Sequence, residues 1–219
     1  MYEAVIFDWD GTLADTRQVI VLSFQKSLSE IKCSVSSEYI ERRIGIGAAE
    51  TFREILRVSK VDFDEILIQR LVERKSQLEI ELTNQVKLFE GARELLEALF
   101  GKIKMGLASM NNRSVIIHML KANNLEKYFE TVLTAESISQ SKPNPEIFLK
   151  CAQQLQTALE KCVVLEDSLF GVKAAKSANM GSIAVLTGVY NKMELEKEKP
   201  DLIVKTLKSK KVLEFIFGI

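Results

Sequence analysis

The sequence predicts an α/β protein: an open, doubly wound parallel sheet with an all-helical insert. Short unbroken apolar runs such as Cys162-Val163-Val164-Leu165 suit parallel strands buried on both faces. From about Ala92 onward these runs alternate with segments of helical period, the pattern of an open sheet with helices on both sides. Between Arg17 and Gln85 only the helical period appears.

In chain order, Ala4–Phe7 is the first strand and ends at Asp8. Ile20, Phe24, Leu28 and Ile31 give a helix from about Arg17 to Cys33. Ser36 or Ser37 can cap a second helix running through Ile44. After the break at Gly45-Ile46-Gly47 a third helix covers Ala48–Val58, and a long fourth runs from about Asp62 to Leu82. Helices follow at Ala92–Leu99, Arg113–Ala122, Pro145–Leu155 and Phe170–Ala178, with a closing one from Thr206. Between them lie strands at Lys104–Ser109, Thr131–Thr134, Cys162–Glu166, Ser182–Leu186 and Leu202–Val204. Glu194–Lys199 reads as a solvated helix or loop. The expected organisation is a core of residues 1–16 and 86–219 with a helical cap at 17–85.

Composition narrows the function classes. The 30 basic and 30 acidic residues among 219 cancel, which leaves no electrostatic footprint for nucleic acid or an anionic membrane. No apolar run is long enough to span a bilayer. The amino terminus enters a strand directly, without the pattern of a secretion signal. Cys33, Cys151 and Cys162 are odd in number, lack metal-ligand spacing and read as reduced thiols of a cytoplasmic protein. No segment marks an obligate protein partner.

The most informative residues are Asp8 and Asp10, followed by Gly11, at the mouth of a buried strand. Two carboxylates about 4 Å apart repel by roughly 4 kcal/mol at an effective dielectric near 20. A cation must offset that, or one group must hold a proton. Ligands of open parallel sheets gather at the carboxyl ends of strands. Those ends also bring Ser109 and the pair Glu166-Asp167, while Lys142 lies in a loop able to reach the same edge. There is no Ser-His-Asp set and no glycine-rich phosphate loop.

With these residues in order, the chain resembles the haloacid dehalogenase-like superfamily, in the subgroup with a helical cap after the first strand and a Rossmann-like core. Phe7-Asp8-Trp9-Asp10-Gly11-Thr12-Leu13-Ala14-Asp15-Thr16 is similar to its first motif, and Ser109 to the end of its second. Lys142-Pro143-Asn144-Pro145-Glu146-Ile147-Phe148 is similar to the third, and Glu166-Asp167-Ser168 to the fourth. The resemblance implies a Mg²⁺-dependent phosphatase of small phosphorylated metabolites. Asp8 would form an aspartyl-phosphate, and Asp10 would act as acid and then base, held by Thr12. Gly11 would turn the chain and bring its N–H near phosphate. Ser109, the N–H of Met110 and Lys142 would bind the phosphoryl group. The carboxylates of Asp8 and Asp167 and the backbone carbonyl of Asp10 would ligate Mg²⁺, with Glu166 direct or through water.

Each feature alone has an ordinary reading: a solvated Asp-x-Asp-Gly turn, a capping serine, a surface lysine. Joint placement at one sheet edge favours chemistry. Elsewhere the ordinary reading holds: His118 is structural, Trp9 packs beneath the cap, and Arg17, Arg42, Arg43 and Arg53 lie mostly on solvated helix faces. Asn179 stands where the family usually ends a helix in glycine, and Glu90-Gly91 where relatives often have Pro-Gly. A phosphomutase is the alternative. The cap histidine and arginine of β-phosphoglucomutase fall here at Ile20 and Ala48, with Arg113 or Arg53 as the available substitutes. A non-catalytic binder of a phosphometabolite or protein is the third reading.

Overall fold

A computed structural model describes residues 1–219. Strand β1 (Ala4–Phe7) is followed by β2 (Ala14–Asp15) and helices α1 (Arg17–Ser29), α2 (Ser37–Glu41), α3 (Ala48–Val58) and α4 (Glu65–Glu81). Next come β3 (Lys87–Leu88), α5 (Ala92–Leu99), β4 (Lys104–Ala108), α6 (Arg113–Ala122), β5 (Thr131–Leu133) and α7 (Glu146–Gln154). The chain ends with β6 (Cys162–Glu166), α8 (Leu169–Ser177), β7 (Gly181–Val185), α9 (Lys192–Glu196), β8 (Leu202–Val204) and α10 (Lys210–Phe217).

Six strands form one parallel sheet in the order β5-β4-β1-β6-β7-β8. All four residues of β1 are fully buried at its centre. Successive side chains of a strand point to opposite faces. Val5 and Phe7 accordingly join a core with α5, α6 and α10, while Ala4 and Ile6 join another with α7 and α8. The segment α1–α4 has its own apolar cluster, which includes Phe24, Phe52, Ile55 and Leu71. β2 and β3 form an antiparallel pair where the chain leaves for that segment and returns from it.

Several boundaries differ from expectation for local reasons. α1 stops at Ser29 because Lys32 turns left-handed at φ 57° and the N–H of Cys33 folds back to Leu28 O. α4 starts at Glu65, since the Asp64 carboxylate caps the Leu67 N–H at 2.8 Å. The closing helix begins at Lys210, after an extended Ser209. Asn179 does take the left-handed conformation, at φ 56°. Trp9 is fully buried in the sheet core cluster, which also takes in Val19 of α1, and its indole N–H donates to Met119 Sδ.

One latch joins α1–α4 to the segment that follows β7 in the sheet layer. Arg42 pairs with Glu194 at 2.6 Å and lies 4.3 Å from the centre of the Tyr190 ring. Burial pushes the Tyr190 phenol up to about 12, so it stays protonated and donates to Arg42 O. The stretch expected to be simply solvated thus contributes Glu194 to a tertiary contact.

Candidate active site

Register builds the site. Phe7 is aligned with Leu107 of β4 and Leu165 of β6, so the residues that follow these strands emerge at one edge. Asp8, Asp10, Ser109, Glu166 and Asp167 are all buried there. The loop before α7 inserts Lys142, which is 1% exposed, into the middle of them. Its ammonium donates to Asp8 Oδ1 at 2.7 Å, Glu166 Oε1 at 2.6 Å and Ala108 O at 3.1 Å. That uses all three of its donors.

Glu166 Oε2 accepts from the N–H groups of Asp167 and Ser168 and from the Ser168 hydroxyl. Both of its oxygens are therefore engaged within the protein. Asp167 Oδ1 accepts from Thr12 Oγ1 at 3.0 Å. This corrects the expectation that Thr12 holds Asp10. The hydroxyl that does so is that of Ser109, which donates to Asp10 Oδ2 at 3.2 Å while accepting from the Asn111 N–H. Asp10 Oδ1 is buried without a partner. The Gly11 N–H, expected to face phosphate, donates instead to Ala14 O at 2.9 Å. Gly11 has a different necessity. Its φ is +88°, and a Cβ there would lie 2.3 Å from Asp167 Oδ2. Gly188 crowds the same oxygen.

The electrostatics follow from burial. Desolvation raises Asp8 well above the usual carboxylate range, against the pull of Lys142 and with Glu166, Asp167 and Asp10 adding to the rise. Asp167 is raised by burial and then by Glu166. Asp10 is raised by burial, opposed by Lys75, by the hydroxyls of Thr16 and Ser109 and by Asn111. For Lys142, burial lowers the pKa, but Asp8 and Glu166 outweigh it and leave the ammonium firmly charged. Carboxylate oxygens of Asp8, Glu166 and Asp167 lie within 4.8 Å of one another around a single lysine. Three acids against one base leave a deficit of positive charge, and hard oxygen donors suit a hard divalent cation. The set fits a metal site. The Asp10 side chain stands outside this cluster and faces an adjoining cleft.

That cleft lies between the strand ends and α1–α4. Met110, Ile20 and Ala48 line it, as do Arg43, Thr51, Lys75 and Asn111. Arg43, read from sequence as lying mostly on a solvated helix face, instead lines the cleft; Thr51, Lys75 and Asn111 were not singled out, since Lys75 and Glu79 on one helix look like an ordinary i,i+4 surface pair. Arg53 and Arg113 do not line it; Arg53 is committed to Glu50 and Glu65.

Residues 5–185 match the model of the haloacid dehalogenase-like hydrolases. The chain belongs to this family. Among haloacid dehalogenase-like relatives, a phosphorylated carbohydrates phosphatase of Thermotoga maritima is 35% identical over 184 residues, covering 83% of each chain. A fructose-1-phosphate phosphatase of Escherichia coli is 27% identical, covering 84% of this chain and 96% of its own. Among solved structures, β-phosphoglucomutase from Clostridium difficile superposes with a TM-score of 0.88 at 26% identity, over 100% of this chain and 98% of that one.

Proposed function

We propose that this haloacid dehalogenase-like hydrolase is a Mg²⁺-dependent phosphatase of small phosphorylated metabolites, with residues 17–85 as a cap over a core of 1–16 and 86–219. The convergence of Asp8, Asp10, Ser109, Lys142 and Asp167 on one buried edge carries the reading. Relatives named as phosphatases of phosphorylated carbohydrates and fructose 1-phosphate support it.

Asp8 attacks phosphorus and the ester P–O bond breaks, giving an aspartyl-phosphate. Asp10 gives its proton to the departing oxygen; its raised pKa and unpartnered Oδ1 suit a group that arrives protonated. Asp10 then takes a proton from water, which attacks phosphorus and breaks the bond to Asp8, releasing inorganic phosphate. Ser109 orients Asp10, and the Met110 N–H would bind a phosphoryl oxygen. Lys142 holds Asp8 and offsets phosphoryl charge. Asp8, Asp167 and the carbonyl of Asp10 would hold Mg²⁺, with Glu166 keeping Lys142 in place beside them. When bound, the cation neutralises the carboxylates and polarises the phosphoryl oxygens. Three free, buried thiols are in keeping with a reducing, cytoplasmic setting, and no helix is long and apolar enough to cross a membrane.

A phosphomutase needs a cationic seat for a second phosphate. With Ile20 and Ala48 at the expected places, Arg53 and Arg113 away from the cleft, and Arg43 and Lys75 within it each paired with an acid, hydrolysis is the better reading. Asp8→Asn is expected to abolish Mg²⁺-dependent release of phosphate from an aryl phosphate; wild-type rates in that variant would refute the proposal.

A further inference from the structure

The cleft beside Asp10 contains two cations, and each is already matched by an acid. Arg43 pairs with Glu54 through Nε at 2.5 Å, donates to Tyr39 O, and lies 3.4 Å from the centre of the Tyr39 ring. Lys75 pairs with Glu79 at 2.8 Å and donates to Asn111 Oδ1 at 3.3 Å. Asn111 Nδ2 returns to Glu79 Oε1 at 3.4 Å, closing a triangle between α4 and the loop after β4. Lys75 is 3% exposed and Glu79 is fully buried.

A buried ion pair is poor value for stability alone, because apolar residues of similar volume hold a fold equally well. Lys75 also lines the cleft that would receive the departing group, with Glu79 buried behind it. An ammonium has three donors, and two are taken by Glu79 and Asn111. The remaining N–H can serve a neutral hydroxyl. An anion gains little from it, since Glu79 cancels the charge, and the anion must still give up its hydration.

We propose that Glu79 sets the charge class of the substrate. By neutralising Lys75 it admits an uncharged, hydroxyl-bearing departing group and discriminates against one with a carboxylate or second phosphate. The inference rests on the phosphatase reading for the orientation of the substrate, with its phosphoryl group at Asp8 and the rest in the cleft.

Glycerol 3-phosphate and 3-phosphoglycerate test it, since they differ chiefly in a hydroxymethyl group against a carboxylate. Their binding to Asp8→Asn protein in Mg²⁺ is measured by calorimetry, where no turnover intervenes. The neutral-tailed probe is expected to bind about tenfold more tightly, and adding Glu79→Gln to shift the ratio about tenfold toward the carboxylate. Equal affinities in the starting protein, or a ratio unmoved by Glu79→Gln, overturn the inference. Should Glu79→Gln fail to fold, the charge-neutral double change Lys75→Met with Glu79→Met replaces it. That protein must keep the preference for the neutral tail, and a reversed preference overturns the inference. Turnover of both probes by the wild-type chain is assayed separately. Selective binding without any hydrolysis leaves charge selection standing and removes the phosphatase reading.

Discussion

A methyl group added at Gly188 would lie 1.9 Å from Asp167 Oδ2. The oxygen that faces Gly11 and Gly188 belongs to the carboxylate expected to hold the cation, and the backbone beside it leaves no room for retreat. Gly188→Ala is therefore expected to lower Mg²⁺ affinity at least about tenfold while the sheet still folds. Thermal denaturation with and without Mg²⁺ checks this: the wild type gains stability on binding, and the variant gains less at the same concentration. The carboxylates Asp8, Asp10 and Asp167 were legible in sequence because each follows a buried apolar run, where a charge has no ordinary reason to be. Gly188 was not, since a Thr-Gly in a loop carries no sign of what it packs against. Glu79 and Lys75 were hidden differently. Their spacing is that of a solvated helix face, and only the tertiary approach of Asn111 puts them inside.

Asp201 ties the start of β8 to β7. Its carboxylate accepts from the Ser182 N–H and hydroxyl and from Lys176. Partial burial alone would raise its pKa, but these donors outweigh it and hold the group below the usual carboxylate range. A depressed native pKa stabilises the fold above the unfolded value and loses that contribution as pH falls through the native one. Asp201→Asn is thus expected to cost about 1 kcal/mol at neutral pH, a modest figure because the site is largely solvated. Urea denaturation of both proteins should show the difference closing below about pH 4. At this level β1, β6 and β8 and helices α3, α5 and α6 have the bounds their apolar patterns predicted. The misplaced ends were decided by single residues, Lys32 turning left-handed and Asp64 capping. β2 and β3, two residues each, are too short to carry a period at all.

The whole molecule depends on how α1–α4 meets the sheet layer. Arg42, Glu194 and Tyr190 make that contact from the segment after β7. If 17–85 is a cap, this latch biases it toward the closed form. A solvent-screened ion pair with a cation–π contact is enough to change a closed population a few-fold without threatening the fold. Arg42→Ala is expected to raise KM about threefold and to leave the urea midpoint nearly unchanged, read from steady-state kinetics beside equilibrium denaturation. The helical stretch itself was legible from its period, whereas its seating was not, because Glu194 lies in a run of Lys and Glu that looks uniformly solvated.

The position of β1 in the sheet also bears on how the chain reaches this state. Ala4–Phe7 lies between β4 and β6, which begin at Lys104 and Cys162. As the polypeptide leaves the ribosome, Ala4–Phe7 has no neighbour on either side until about half of the 219 residues have been made, and lacks its second until later still. The strand that leads into Asp8 and Asp10 is thus made before either neighbour and sheltered on its second side only once Cys162 follows, so truncated products ending before Cys162 should be the species that chaperones retain.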